Sequence, residues 1–402
     1  MKLQNFLFSK RTAWELMPNE LIKKLKEIEG QNHFIYDLTE SNPTRCEFAY
    51  PKLEILESLY SGKNILYDPS PQGFLEARQA ICDYYLAKNY NVNPDQVFIT
   101  TSTSEGYSFL FRLLTNPGER ILFPRPSYPL FEFLVDLNDI KMDTYPLVYD
   151  YNSKTEYPNW HIDLKALEDA ITPATKAIVL VNPNNPTGSF IKKKELKAIN
   201  DICKANNLVI IADEVFLDYC LEEEDQRVMS LVENKDVLTF TLSGISKIIG
   251  LPQMKISWIM VNGPEELKEM ANERLEVIAD TYLSVNTPCQ NALKKWLSFQ
   301  PEMRREILKR VRQNHQFLIE TFKNITDCLY LNSNGGWYGI VKLPKTKSEE
   351  EWVFKFLNDE RVFTHPGYFF DFEEEPFIVV SLLTPVTVFQ EGIKRIVKQI
   401  KG

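Results

Sequence analysis

The stretch Ser243-Gly244-Ile245-Ser246-Lys247-Ile248-Ile249-Gly250 directly follows a short apolar run at 237–242. A run this short and this continuous predicts a strand buried on both faces. The lysine that follows is flanked by Ile245, Ile248 and Ile249, so it is placed in apolar surroundings. Burial there disfavours the ammonium and makes a nucleophilic amine available near neutral pH. Most lysines are solvated charges, however, and the reading of Lys247 depends on its neighbours at other strand ends.

Five similar runs lie at 96–101, 120–123, 177–181, 208–212 and 256–261, with helical patterns at 104–114, 193–206 and 265–279 between them. Strands alternating with helices predict an α/β fold with a mostly parallel, doubly wound sheet. A long amphipathic helix follows at about 301–325, then a strand at 338–342, a helix at 348–358, a strand at 377–382 and a C-terminal helix. The expected division is a large domain at 49–289 and a smaller α+β domain built from 1–48 and 290–402.

Ligands of open α/β sheets bind beyond the carboxyl ends of the strands, and the unusual residues collect there. The first run leaves as Thr101-Ser102-Thr103-Ser104-Glu105-Gly106. Its hydroxyls and free N–H groups at a helix N-terminus suit a phosphate, although an ordinary N-cap reads the same way. The second is followed by Pro124-Arg125-Pro126-Ser127-Tyr128-Pro129, a stiff turn presenting either an aromatic face or a packing residue. The third ends in Asn182-Pro183-Asn184-Asn185-Pro186-Thr187-Gly188, whose turn residues alone explain a sharp exit. The fourth ends in Asp213-Glu214, an acidic pair that also suits a helix start. Singly these are weak signals. In order, they supply a phosphate anchor, a ring stacker, an asparagine, an acid for a pyridine nitrogen and a Schiff-base lysine, the parts that pyridoxal 5′-phosphate needs.

From about Asp37 to the C-terminus the chain resembles the class I/II aminotransferases of PLP fold type I, the aspartate aminotransferase superfamily. The resemblance is carried by Asn185-Pro186-Thr187-Gly188, Asp213-Glu214 and Gly244-Ile245-Ser246-Lys247 followed by Gly250-Leu251-Pro252. It implies that Lys247 binds the cofactor covalently and moves the substrate proton, and that Asp213 pairs with the ring nitrogen. It also implies that Asn185 contacts the ring O3′ and the substrate carboxylate, and that Tyr128 stacks on the ring. Ser102, Thr103, Ser104 and Ser246 resemble the phosphate-binding positions. Tyr67, in Tyr67-Asp68-Pro69-Ser70-Pro71-Gln72-Gly73, matches a tyrosine that reaches the phosphate from a partner subunit, which implies a homodimer. Ser41-Asn42-Pro43-Thr44-Arg45 resembles the segment bordering the substrate, with Ser41 and Arg45 as candidate contacts; Arg45 reads equally as a solvated charge.

Three positions depart from the family pattern. Lys255 stands where a phosphate-binding arginine is usual, so the charge survives without the bidentate fork. Phe216 replaces a tyrosine whose hydroxyl serves O3′, and Val379 occupies the place of the arginine that takes the substrate carboxylate. The implied activity is amino-group transfer between a donor and a keto acceptor in a ping-pong cycle. The runner-up is another chemistry of the same cofactor, namely C–S β-elimination, decarboxylation or racemisation, and after it a catalytically silent regulatory module.

Composition narrows the classes. Of the 402 residues 44% are hydrophobic and 25% charged, which excludes disorder as the main state. With 46 Lys plus Arg against 55 Asp plus Glu, the net charge of −9 argues against a general nucleic-acid or anionic-membrane binder. Six cysteines without a CxxC pair, and four histidines, make a disulfide scaffold or metal site improbable. No apolar stretch approaches the roughly 18 residues that cross a bilayer, and the N-terminus lacks a signal-peptide pattern. The expectation is a soluble cytoplasmic protein with no metal and no membrane partner.

Overall fold

A computed structural model describes residues 7–17, 19–151, 160–222, 225–283, 285–374 and 376–401. Strands β1 (Tyr36–Asp37), β2 (Val97–Thr100), β3 (Arg120–Arg125), β4 (Lys141–Tyr149) and β5 (Trp160–Ile162) come first. They are followed by β6 (Thr175–Val181), β7 (Val209–Asp213), β8 (Thr239–Gly244) and β9 (Ser257–Asn262). The C-terminal part holds β10 (Leu329–Leu331), β11 (Tyr338–Lys342), β12 (Val362–Phe363), β13 (His365–Pro366) and β14 (Phe377–Ser381).

The large sheet has the order β2-β9-β8-β7-β6-β3-β4-β5. Neighbours from β8 across to β4 are parallel. Strand β9 runs antiparallel to both β8 and β2, and β5 antiparallel to β4. The expected parallel core is therefore present, inside a mixed sheet. Side chains alternate across it: Val179, Ile211, Phe240 and Ile259 enter one core, and Ile178, Ile210 and Ala212 another on the opposite face. On the first face the helix Thr103–Leu114 lies over β8 and β9, and its Tyr107, Leu110 and Phe111 are buried with Phe123 and Phe240. Truncating such an aromatic to alanine costs about 3–5 kcal/mol, so these contacts fix the helix firmly on the sheet.

A smaller antiparallel sheet, β10-β11-β14-β13, and the parallel pair β1 and β12 complete the fold. The helix Gln300–Phe322 presents Met303, Ile307, Val311 and Leu318 to a core shared with Ile378 and Val380 of β14. Leu21, Ile28 and Leu38 from the N-terminal segment belong to that same core. Ser348 starts the helix Glu349–Glu360 with a capping box to Glu351, satisfying donors that would otherwise be orphaned.

Candidate active site

The carboxyl ends of β6, β7 and β8 meet in register, Val181 beside Asp213 and Asp213 beside Leu242. Val181, Asp213 and Gly244 from these ends line a cavity of about 210 Å³, with Thr103, Ser104 and Tyr107 of the overlying helix closing another wall. Two wider clefts, of about 990 Å³ at Lys197 and Arg227 and about 1040 Å³ at Lys323 and Lys345, are open grooves. Neither reaches the end of a strand in the large sheet, so the smaller cavity is the better chemical site.

Lys247 is set by the exit from β8. Gly244 pairs with Ser257 of β9, and a Cβ on it would stand 2.9 Å from Ser257 Cα and nearer still to Oγ. Only glycine lets the two strands approach so closely. The Ile245 N–H then bonds to Ile256 O (3.1 Å), and one short turn, Ile245–Ile248, carries Lys247 into the cavity. Tyr219 donates its hydroxyl to the Lys247 carbonyl at 2.6 Å. Burial lowers the Lys247 pKa to about 8, against the attraction of Asp213.

Asp213 is buried and accepts from the Tyr107 hydroxyl (3.1 Å to Oδ2) and the Val215 N–H (3.1 Å to Oδ1). Burial raises its pKa to about 6, outweighing both hydrogen bonds and the pull of Lys247. Between those two values the acid is ionised and the lysine protonated, a charged pair in one cavity. Glu214 turns elsewhere, accepting from Ser230 Oγ and the Leu231 N–H, both at 2.6 Å.

The other expected residues divide into those that line the cavity and those that do not. Ser41, Thr103, Ser104, Tyr128, Asn185, Phe216 and Ser246 line it. Ser102 is the N-cap of the helix, its Oγ taken by the Glu105 N–H at 3.1 Å. Lys255 is exposed, and Tyr67 is 71% exposed. The Arg45 side chain is 75% exposed and faces Glu40 at 3.8 Å. Val379 is fully buried in β14, packed with Ile340, Phe370 and Phe377. Tyr107 and Tyr338 line the cavity although the sequence motifs did not single them out. Tyr107 was discoverable, because it sits four residues after Thr103 and therefore on the same helix face.

The donor set fits pyridoxal 5′-phosphate. The Asn185 Oδ1 is buried with no hydrogen-bond partner among the described residues, a cost that a ligand N–H or O–H would relieve directly and a ligand oxygen would relieve once the amide is turned over to donate. Thr103 and Ser104 occupy a helix first turn, whose N–H groups have no intrahelical acceptor and favour an anion.

Comparison with known proteins agrees with this chemistry. The profile of "Aminotransferase class I and II" matches residues 19–396. The chain is 27% identical over 386 residues to the glutamate-pyruvate aminotransferase AlaA of Haemophilus influenzae, covering 94% of this chain and 93% of that protein. It is 24% identical to the human tyrosine aminotransferase, covering 96% and 88%. The solved alanine aminotransferase from Pyrococcus furiosus superposes with a TM-score of 0.86 at 24% identity, covering 98% of this chain and 99% of that one. The chain belongs to the class I and II aminotransferases of PLP fold type I, enzymes that transfer amino groups with pyridoxal 5′-phosphate.

Proposed function

We propose that the cavity at the end of β8 is the transamination site, with Lys247 as covalent anchor and proton carrier. The observation that carries this is the enclosure of a half-buried lysine and a buried carboxylate in one cavity at the strand ends, beside a helix N-terminus. When bound, pyridoxal 5′-phosphate supplies an aldehyde and an electron-withdrawing ring that takes an amino group from a donor and passes it to a keto acceptor. The Asp213 carboxylate, held by Tyr107 and Val215, would keep a proton on the ring nitrogen. Thr103 and Ser104 with Ser246 would hold the phosphate, Tyr128 would cover the ring, and Asn185 would donate from its amide N–H to the ring oxygen. The Lys247 Nζ, near its midpoint at about 8, accepts a proton as amine and returns it as ammonium.

The donor class follows from the walls. Phe131, Leu134, Val215 and Tyr338 are apolar or aromatic, and the charged side chains lining the cavity among the described residues are Asp213 and Lys247. A donor with an apolar or aromatic substituent suits them, its carboxylate, if present, meeting Asn185, Ser41 and Tyr338 rather than a guanidinium. Incubation with a single donor should give one equivalent of oxo product per site and leave the cofactor aminated. Sustained release of oxo acid and ammonia without an acceptor would replace transfer by elimination.

A homodimer is supported by the exposed apolar strip Leu53, Leu56, Tyr60, Ile65 and Tyr67, which would place Tyr67 at the partner's phosphate. The core shared by 21–48 and 303–396, which Phe216 and Tyr219 also join, supports a division of the chain near 49–289, although Ala292, Leu293 and Trp296 pack with the large-domain core. Six free and buried thiols support a cytoplasmic setting.

A further inference from the structure

The Lys247 Nζ lies 4.8 Å from the centroid of the Trp337 ring and 5.3 Å from that of Phe216. Both distances are within the roughly 6 Å at which a cation is attracted to an aromatic face. The two rings pack edge to face at 5.2 Å, and Trp337 meets Tyr219 at 4.9 Å in the same way. Tyr219 is the residue whose hydroxyl holds the Lys247 carbonyl. One aromatic cluster thus grips both ends of the lysine.

Two glycines make room for Trp337. A Cβ on Gly335 would stand 2.7 Å from Phe190 and 2.8 Å from Tyr219 O. Gly336 is left-handed (φ +77°), and its N–H bonds to Tyr219 O at 2.9 Å. The Trp337 carbonyl then accepts from Leu382 N at 2.7 Å. Together they press the indole, fully buried, against the lysine. Its Nε1 has no hydrogen-bond partner among the described residues. Packing alone orients the ring, and a phenyl in its place would lose no hydrogen bond.

We propose that Trp337 is a positioning residue for Lys247: its indole face, with the ring of Phe216, forms a saddle that holds the lysine's free ammonium whenever Nζ is not bonded to the cofactor. This rests on the reading of Lys247 as the anchor. In catalysis Nζ must leave the cofactor, take a proton and come back without wandering or forfeiting its basicity. A half-buried ammonium has lost part of its water, and two aromatic faces replace part of that solvation without supplying a hydrogen-bond acceptor that would compete for the proton. Asp213 is the other charged group of the cavity, and Tyr107, Tyr128 and Tyr338, all raised by burial, stay neutral across the relevant range. Tyr219 is raised as well, and Glu214 faces Ser230 and Leu231.

The test is competitive acetylation of the full-length, cofactor-free protein with acetic anhydride from about pH 6 to about pH 10.5, read by mass spectrometry on the Lys247 peptide. Trp337→Leu should lower the apparent pKa of Lys247 by roughly 0.5–1.5, and Phe216→Leu should lower it in the same direction. Trp337→Phe, which keeps a ring, should restore most of the wild-type value. An unchanged or raised midpoint in Trp337→Leu, or equal midpoints in the Leu and Phe variants, overturns the proposal. If Trp337→Leu loses its fold by circular dichroism, Phe216→Leu decides by the same criterion. Borohydride trapping of the cofactor on wild type tests the anchor separately: a label at Lys247 with no pKa response would sink the saddle alone.

Discussion

Asp213→Asn is expected to make the cofactor-free protein more stable and the enzyme worse. The carboxyl is buried and its pKa is pushed from 3.8 to about 6. The folded state therefore prefers the neutral acid: that preference is complete below the unfolded value and is lost as pH rises through the folded one. A pKa raised this far corresponds to about 3 kcal/mol of destabilisation once the group is ionised. About two-thirds of this, or about 2 kcal/mol, develops between about pH 4.5 and about pH 7.5. Asparagine removes the ionisation, but its amide cannot accept from both the Tyr107 hydroxyl and the Val215 N–H, a loss of about 1 kcal/mol at any pH. Near pH 7.5 the variant should thus gain about 1–2 kcal/mol, and near pH 4.5 the gain should vanish. Urea denaturation of cofactor-free wild type and variant at the two pH values measures the difference of differences, in which the constant hydrogen-bond loss cancels. With cofactor bound, turnover should fall steeply, because an amide cannot hold the ring nitrogen protonated. A stability difference that stays flat, or moves against the variant as pH rises, would show that Asp213 is held by attraction to Lys247 and not strained by burial.

Lys247→Ala should abolish the absorbance band of the covalently held cofactor and nearly all turnover while circular dichroism is unchanged; finding the borohydride-fixed label on another lysine would end the assignment. Phe216→Tyr puts a hydroxyl at the cavity wall, where donation to the ring oxygen should move the spectroscopic titration of the bound cofactor down by about one pH unit, about 1.4 kcal/mol. No movement would mean that position 216 does not face that oxygen. Gly244→Ala forces a Cβ to within 2.9 Å of Ser257 Cα and should cost about 1–3 kcal/mol in urea unfolding, together with weaker cofactor retention on gel filtration. Arg45→Ala should leave donor preference unchanged, given a side chain 75% exposed; selective loss of carboxylate-bearing donors would restore it as the carboxylate partner.

The central strands were legible because strands buried on both faces are nearly continuous in apolar residues, and β6, β7, β8 and β9 fall within a few residues of the runs that announced them. Strands β4 and β5 were not read. Lys141, Asp143 and Pro146 interrupt β4, which lies toward the rim of the sheet, where such residues are tolerated. The direction of β9 was illegible for another reason: a buried antiparallel strand flanked on both sides carries the same apolar pattern as a parallel one. Within the site, Lys247, Asp213 and Asn185 were visible as strand-end residues. Trp337 was not, because it follows Lys247 by 90 positions and meets it through a loop of another sheet. Arg45 shows the converse limit, since a motif places a residue in a segment without fixing which way its side chain turns.

The helix Thr103–Leu114 begins at the end of the cavity proposed to hold the phosphate and, one turn later, delivers Tyr107 to Asp213. At about 1.5 Å per residue, roughly 6 Å of axis separates the two functions. With the proposed placement the helix would be a ruler: it would hold the spacing between a ligand's phosphate and the far edge of its ring as a rigid length. Ligands whose linking arm is one bond longer or shorter should then bind more weakly, however well each end fits by itself. The same rigidity ties two properties that would otherwise vary independently. Any substitution beneath the helix, such as at Phe111 against Phe123, that slides it along β9 shifts phosphate affinity and the basicity of Asp213 together, so variants of this core should fall on one line when the two are plotted against each other.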